Sequence, residues 1–75
     1  MSRTLAQHVA AALRAEMARQ QIPAYRLAQI MGRDETWVGR RIREKSAITV
    51  DDLEGFAKAL DVAVSTFLPT PARAS

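Results

Sequence analysis

Apolar side chains recur at four-residue spacing near the start of the chain. The positions are Leu5, Val9, Leu13 and Met17. This spacing places them on one face and predicts an amphipathic helix from about residue 5 to about residue 20. Thr4 stands just before this segment and Gln7 three residues later, which is the pattern of a capping box. The sequence therefore predicts both the helix and its first residue.

Two further helices are predicted on either side of a glycine. Proline suits the first position of a helix, where its missing amide hydrogen is not needed, so Pro23 begins a second helix over residues 23–31. Its inward residues are Leu27, Ala28 and Met31. Gly32 follows, where a left-handed residue ends the helix, and Asp34 can cap a third helix over residues 35–43 or 35–44.

The second half of the chain carries two more elements. Thr49 and Asp52 have capping-box spacing and predict the start of a fourth helix. Its inward residues are Leu53, Phe56, Ala57 and Leu60. A short apolar segment follows and Pro69 ends it, which predicts a fifth helix of one or two turns. The residues expected to close the core from this last helix are Val62, Phe67 and Leu68.

These elements predict an all-α fold, because no segment shows the alternation typical of a strand. We expect a compact bundle of five short helices over residues 1–68, which suits a chain of 75 residues. Residues 69–75 are rich in proline, alanine and serine and are expected to form a flexible tail or linker.

Charge is distributed unevenly, although the net charge is only +3. Residues 33–45 contain five cationic and three acidic side chains, whereas residues 49–61 contain one lysine and four acidic side chains. A molecule polarised in this way is suited to docking on an anionic partner in one orientation.

The composition disfavours several classes of function. The chain has no cysteine and a single histidine, His8, so a metal site is not expected. Asp51 and Asp52 are adjacent at a helix start, where the helix dipole accounts for them better than catalysis does. No apolar stretch approaches the ~20 residues of a membrane span. We expect a cytoplasmic, nucleoid-associated protein that is not an enzyme and has no cofactor, metal, small-molecule ligand or membrane partner.

The third helix has one basic face. Val38 and Ile42 lie four residues apart and define its buried side, so the opposite side is centred on Arg40 and flanked by Thr36 and Arg43. Trp37 lies at the margin, which makes it a poor core residue but a plausible apolar contact on the exposed surface. Arg41 follows Trp37 by four residues, so its guanidinium can lie over the indole.

A helix of this diameter fits the major groove of B-DNA when a second helix supports it from behind. The second and third helices with the glycine between them predict such a helix-turn-helix. The residues predicted to contact bases are Glu35, Thr36, Trp37 and Arg40. Those predicted to contact phosphates are Arg26, Arg33, Arg41, Arg43 and Lys45. In this interpretation Arg40 pairs with guanine, Glu35 accepts a hydrogen bond from cytosine, and Trp37 contacts a thymine methyl or a sugar.

Residues 26–62 resemble the helix-turn-helix of Cro and lambda-repressor-like transcription regulators, the XRE family. The segments "VGRRIRE" and "ITVDDLEGFAKALDV" are similar to actinobacterial and phage immunity repressors. The resemblance implies a transcriptional repressor that binds a double-stranded DNA operator through a recognition helix over about residues 35–44. It further implies a phage or prophage immunity repressor, or the DNA-binding domain of one, and adds Ser46 to the phosphate contacts.

The chain departs from the family pattern at several positions. Ala24 stands where the family commonly has a phosphate-binding glutamine, and Arg33 follows the turn glycine where an apolar residue is common. Arg41 stands where many members are apolar, with the apolar residue at Ile42 instead, and Glu44 stands where many have glycine. These departures leave the register of the third helix open by one residue.

Two other classes of function stay open. The chain can be an antitoxin or antirepressor that uses the same fold chiefly to bind a protein, or a packing module without affinity for nucleic acid. Assembly is also open, because a second half-site can be contacted by a homodimer or by a second DNA-binding domain after the tail. The segment "VSTFL" is the best candidate for a dimer contact.

Overall fold

The computed structural model describes residues 4–69, and every described element is helical. The elements are α1 (Leu5–Gln20), α2 (Ala24–Met31), α3 (Glu35–Ile42), α4 (Val50–Leu60) and a 3₁₀ helix (Val64–Phe67). The predicted all-α fold is confirmed, but the fifth predicted helix is this 3₁₀ helix of four residues. Most of the predicted tail, residues 70–75, lies outside the described residues.

The predicted helix starts are present. The Thr4 hydroxyl accepts from the Gln7 amide at 3.1 Å, and the Gln7 side chain accepts from the Thr4 amide at 2.9 Å. Thr49 and Asp52 form a second capping box with distances of 3.0 and 3.1 Å. Pro23 differs by one position from its prediction, because it precedes α2 in an extended conformation and is not the first helical residue.

The four α-helices end in the same way. In each, a left-handed residue directs the chain back so that two amides reach carbonyls of the last turn, which is the Schellman arrangement. The left-handed residues are Gln21 (φ 58°), Gly32 (φ 68°), Glu44 (φ 64°) and Asp61 (φ 58°). Only Gly32 was predicted. A side chain is disfavoured in this conformation by roughly 1–2 kcal/mol, so three of these ends are strained.

The core lies where α1, α2, α3 and α4 meet the 3₁₀ helix. Its fully buried large side chains are Leu13, Leu27, Val38, Phe56, Leu60 and Phe67. The prediction for Leu68 is wrong, because this residue is 39% exposed. The 3₁₀ helix ends at Phe67, and Leu68 continues in an extended conformation outside it. Phe67 is therefore the fully buried residue of this segment, while Val62, as predicted, and Val64 are half-buried and pack against the core.

A buried carboxylate holds a glutamine that joins the two long helices. Glu16 in α1 accepts hydrogen bonds from Arg19 and, at 2.7 Å, from Gln20. The same Gln20 amide group donates to the Leu60 carbonyl at 2.8 Å, which satisfies an acceptor at the end of α4. Hydrogen bonds from Arg19 and then Gln20 hold the pKa of the Glu16 carboxyl below its ordinary value. These hydrogen bonds tie the end of α1 to the end of α4. The sequence pattern predicted no role for Glu16 or Gln20.

Candidate nucleic-acid interface

The helix pair predicted around Gly32 is present in the structure. α2 packs along α3, while α1 and α4 both contact the pair from behind. The turn between the two helices is only three residues long, residues 32–34, and Asp34 caps α3 by accepting from the Trp37 amide at 2.8 Å. The short turn and the cap fix the point at which α3 begins.

The helical wheel proposed for α3 has the right register. Val38 and Ile42 are buried against the core. Thr36 and Arg40, on the other side of the helix, are exposed to solvent, and so is Glu35, the first residue of the helix. We call these three residues the outer face of α3. Among residues 4–69, the side chain of Arg40 takes part in no ion pair, so its guanidinium is available to an external acceptor.

Trp37 lies beside the outer face in a cluster of its own. Its ring is half-buried and packs on Phe56 of α4, with ring centroids 5.7 Å apart. The guanidinium carbon of Arg33 lies 4.4 Å from the indole centroid and that of Arg41 lies 3.9 Å from it. We call Arg33, Trp37, Arg41 and Phe56 the tryptophan stack. The predicted contact of Arg41 with the indole is confirmed, whereas the packing of Trp37 on the core was not foreseen.

Arg41 has polar partners that further limit its freedom. Its Nε donates to Oδ2 of Asp52 at 3.2 Å, and its Nη1 donates to the Trp37 carbonyl at 3.2 Å. Its side chain is only 18% exposed. Burial alone raises the pKa of the Asp52 carboxyl, but the Thr49 amide and the Arg41 guanidinium outweigh it and leave that pKa below its ordinary value. The predicted phosphate contact of Arg41 therefore starts from a guanidinium that already has partners.

The end of α3 is held by a residue of α1. The side chain of Arg14 donates to the Ile42 carbonyl and lies 3.7 Å from the Glu44 carboxylate. The chain then turns at Glu44, and the amides of Lys45 and Ser46 both donate to the Arg40 carbonyl, at 2.6 and 3.2 Å. Lys45 and Ser46, two predicted phosphate contacts, are thus hydrogen-bonded to the backbone of Arg40, a predicted base contact.

The remaining predicted phosphate contacts differ in how far they extend. Arg43 folds back over α3, since a Cβ placed on Gly39 would lie 2.7 Å from its Nη2 atom. Arg26 is exposed and donates to the Gln29 side chain at 3.3 Å. Lys45 is exposed and Ser46 is half-buried. Arg26 and Lys45 are thus both exposed to solvent. Arg26 precedes α3 in the sequence and Lys45 follows it.

Comparison with solved structures gives a neighbour of related fold. The chain is similar to the crystal structure of NHTF, a hypothetical transcription factor from Neisseria, with a TM-score of 0.82. The two sequences are 28% identical over a match that covers 91% of this chain and 78% of that chain. No model of a known protein family matches the chain, and no curated protein does. The chain therefore shares its fold with a protein described as a hypothetical transcription factor.

The chemistry open to the outer face of α3 is set by its side chains. A guanidinium on the outer face can donate two parallel hydrogen bonds, while a carboxylate and a hydroxyl beside it can accept or donate. Within residues 4–69, no three histidine or acidic side chains converge as a metal site would require. No helix in the same range has the length and apolar character needed to cross a membrane.

Three residues that matter to the site were missed by the sequence analysis. Asp52 was assigned only to the start of α4, although it also binds Arg41 of α3. Arg14 was assigned no contact, although it caps α3. Phe56 was predicted to be buried but not to support Trp37. Each contact joins two separate helices, so no local spacing in the sequence signals it.

An apolar groove of about 610 Å³ lies next to the loop that follows α3. Its lining includes three exposed apolar side chains: Leu5, Val50 and Leu68. Lys45 and Ser46 also line it. Of the segment predicted to make a dimer contact, Phe67 is in the core and Leu68 is on this groove.

Proposed function

We propose that the protein binds double-stranded DNA sequence-specifically, with α3 in the major groove, and acts as a transcriptional repressor. The observation that carries this proposal is the outer face of α3, where Arg40 forms no ion pair with any residue of 4–69 and the helix is supported by three others. Similarity to a hypothetical transcription factor agrees with it. The proposal is of a protein that acts by binding alone and is not an enzyme.

The outer face supplies the side chains that distinguish base pairs. Arg40 pairs with O6 and N7 of guanine, and Glu35 accepts from the exocyclic amine of cytosine. Thr36 offers a hydroxyl and a methyl group to either kind of edge. Trp37 presents only the part of its ring that Phe56 leaves uncovered, so its contact is with a thymine methyl or a sugar at the border of the interface.

Phosphate contacts hold the protein on the duplex without reading sequence. Lys45 and Ser46 reach the backbone on one side of the groove, and Arg26 reaches it on the other. Arg33 and Arg43 join them by extending from their positions against Trp37 and Gly39. Arg41 contributes positive potential while it remains bound to Asp52.

The finer identity follows the resemblance seen in the sequence. We propose a member of the Cro and lambda-repressor-like regulators, specifically a phage or prophage immunity repressor or its DNA-binding domain. A repressor of this kind contacts two half-sites, through a homodimer or through a second DNA-binding domain after the tail. Measurement of the solution mass with and without operator DNA distinguishes these two forms of assembly.

The test is selection of bound duplexes from a random library, followed by titration of the selected and a scrambled duplex across salt concentrations. The selected duplex should bind more tightly, and log K should fall linearly with log salt with a slope of about −0.9 per neutralised phosphate. Lys58→Ala is the matched control, because Lys58 is an exposed cation of α4 outside both predicted sets. Absence of binding to either duplex at low salt contradicts the proposal.

A second function is favoured by the apolar groove. Leu5, Val50 and Leu68 form the kind of exposed apolar surface that protein contacts use, which suits an antitoxin or antirepressor. On this alternative, Leu68→Ser abolishes the protein contact, and Arg40→Ala leaves the function of the chain unchanged. The reverse result, with function lost only in Arg40→Ala, supports DNA binding.

A further inference from the structure

One carboxylate belongs to two helices at once. Oδ2 of Asp52 accepts from the Thr49 amide at 3.1 Å, as part of the capping box that begins α4. The same oxygen accepts from Nε of Arg41 in α3 at 3.2 Å. The side chains of Asp52 and Arg41 are only 12% and 18% exposed, so little water competes for this ion pair.

Arg41 transmits this contact to the outer face of α3. Its guanidinium lies over the Trp37 ring and donates to the Trp37 carbonyl. Trp37 is adjacent in the chain to Thr36, and Arg41 is adjacent to Arg40. The carboxylate at the start of α4 is therefore linked through two side chains to the backbone segment that presents the outer face.

We propose that Asp52 is a positioning residue that sets the orientation of the outer face of α3 and thereby determines how sharply the protein discriminates between DNA sequences. This inference rests on the proposed function, since it assigns a residue of α4 to the specificity of the α3 contact. Asp52 does not touch DNA. It acts through Arg41 and the tryptophan stack.

The physical reason is that contacts to bases and contacts to phosphates tolerate different errors in the position of a side chain. Hydrogen bonds to base edges require the side chain to be placed within about 0.5 Å, whereas attraction to phosphates is long-ranged and tolerates a shift. Val38 and Ile42 hold α3 against the core along one side, and a small rotation about the helix axis would move the outer face. An ion pair on the side of α3 opposes that rotation.

The decisive variant is Asp52→Asn, which keeps the size of the side chain and an oxygen for the Thr49 amide but removes the charge that holds Arg41. The ratio of the dissociation constants for scrambled and selected duplex should fall by roughly 2- to 30-fold, the range for residues that act on a site indirectly. Affinity for the selected duplex should fall, whereas affinity for the scrambled duplex should not fall, because the freed Arg41 guanidinium can only add attraction to phosphates. Asp52→Glu keeps both the charge and a capping-box residue, so it should restore most of the ratio.

Glu16→Gln is the matched control. It also neutralises a buried carboxylate that is paired with an arginine, but in α1 and away from the tryptophan stack. Compared at temperatures where both variants remain folded, Glu16→Gln should lose stability while the ratio of dissociation constants stays at the wild-type value. A purely structural role for Asp52 predicts the same behaviour for Asp52→Asn.

Trp37 provides a readout that does not depend on DNA. It is the only tryptophan of the chain, so the emission spectrum of the native protein reports its surroundings. Emission should shift to longer wavelength in Asp52→Asn, as Arg41 leaves the ring, and should not shift in Glu16→Gln. Unchanged emission overturns the inference, as does an unchanged ratio in a variant whose emission has shifted. If the wild type itself does not discriminate between the two duplexes, the proposed function fails, and the role of Asp52 in specificity fails with it. A shift of emission in Asp52→Asn would still establish that Asp52 positions the tryptophan stack.

Discussion

Arg40 and Arg41 are neighbours in the chain and belong to different regions of the molecule. Arg40 is on the outer face of α3, exposed and without an ion-pair partner among residues 4–69. Arg41 is in the tryptophan stack, where it has an aromatic ring, a carbonyl and a carboxylate as partners. One guanidinium is available to bind an external group, and the other stabilises the protein that presents it.

The difference shows that counting cationic residues overestimates the charge available for a contact with DNA. A solvated guanidinium costs little to bring to a phosphate or a base, because its bonds to water are replaced by similar bonds. A guanidinium with low exposure must first leave its partners, and its carboxylate is then left unpaired. Exposure and existing partners therefore decide which arginines of α3 contribute to affinity.

The largest expected effect comes from removing Phe56, the buried ring of the tryptophan stack. Phe56→Ala should lower the free energy of unfolding by about 3–5 kcal/mol, because it deletes a fully buried ring and leaves a cavity. Urea unfolding monitored by circular dichroism measures this change. Phe67→Ala removes an equally buried ring outside the stack, so it should cost a similar amount. A shift of native Trp37 emission in Phe67→Ala but not in Phe56→Ala would contradict the assignment of Phe56 to the stack.

The outer face is tested by Arg40→Ala. Binding to the selected duplex should weaken by about 1–3 kcal/mol, with one base preference relaxed, because a bidentate contact is lost. Unfolding free energy should stay within about 0.5 kcal/mol of the wild type, since the side chain is exposed. Lys45→Ala is the control and should weaken binding to selected and scrambled duplexes alike. Equal losses on both duplexes in Arg40→Ala would make this residue a phosphate contact.

The stack is tested by Arg41→Ala as a function of pH. The variant should be less stable than the wild type by about 1–2 kcal/mol at neutral pH, where the Asp52 carboxylate is left without its guanidinium. Because the pKa of Asp52 is lowered in the folded protein, the ion pair contributes fully above about pH 4 and is lost as the pH falls through the folded value. The two stabilities should converge in acid. A difference that does not depend on pH would assign the loss to packing on Trp37 alone.

The smallest effect concerns the turn at which α3 ends. Glu44→Gly should raise the free energy of unfolding by about 0.5–1 kcal/mol, since glycine adopts a φ of 64° without strain. The exposed ion pair with Arg14 that is lost is worth less than this. Thermal unfolding should show a midpoint a few degrees higher. Gly32→Ala, at the turn before α3, is the opposite substitution and should lower the midpoint.

Much of the fold was predictable because its signals are local. The capping boxes at Thr4 and Thr49, the glycine at position 32 and the cap at Asp34 each act within four residues of their own position. The error at Leu68 has a local origin too. A helix with three residues per turn ends sooner and directs its side chains differently from the α-helix that the apolar spacing predicts.

The tertiary contacts of the site were not predictable in the same way. The wheel placed Trp37 at the margin of α3 correctly, but it could not show that Phe56 of another helix lies beneath that margin. The same holds for Asp52, whose place in a capping box is sufficient to explain its presence in the sequence. When a residue binds two partners, a sequence pattern reveals only the partner that is close to it in the sequence, here Thr49 and not Arg41.

The strained helix ends have a consequence for how such a protein could change its target. A new DNA preference requires substitutions on the outer face of α3, and most substitutions in a small domain reduce a free energy of unfolding that is only a few kcal/mol in total. Gln21 and Asp61 hold left-handed positions outside α3, and glycine at either would recover about 1 kcal/mol without touching the outer face. In evolutionary terms, the stability gained by glycine at these two positions can offset the stability lost when residues of the outer face change.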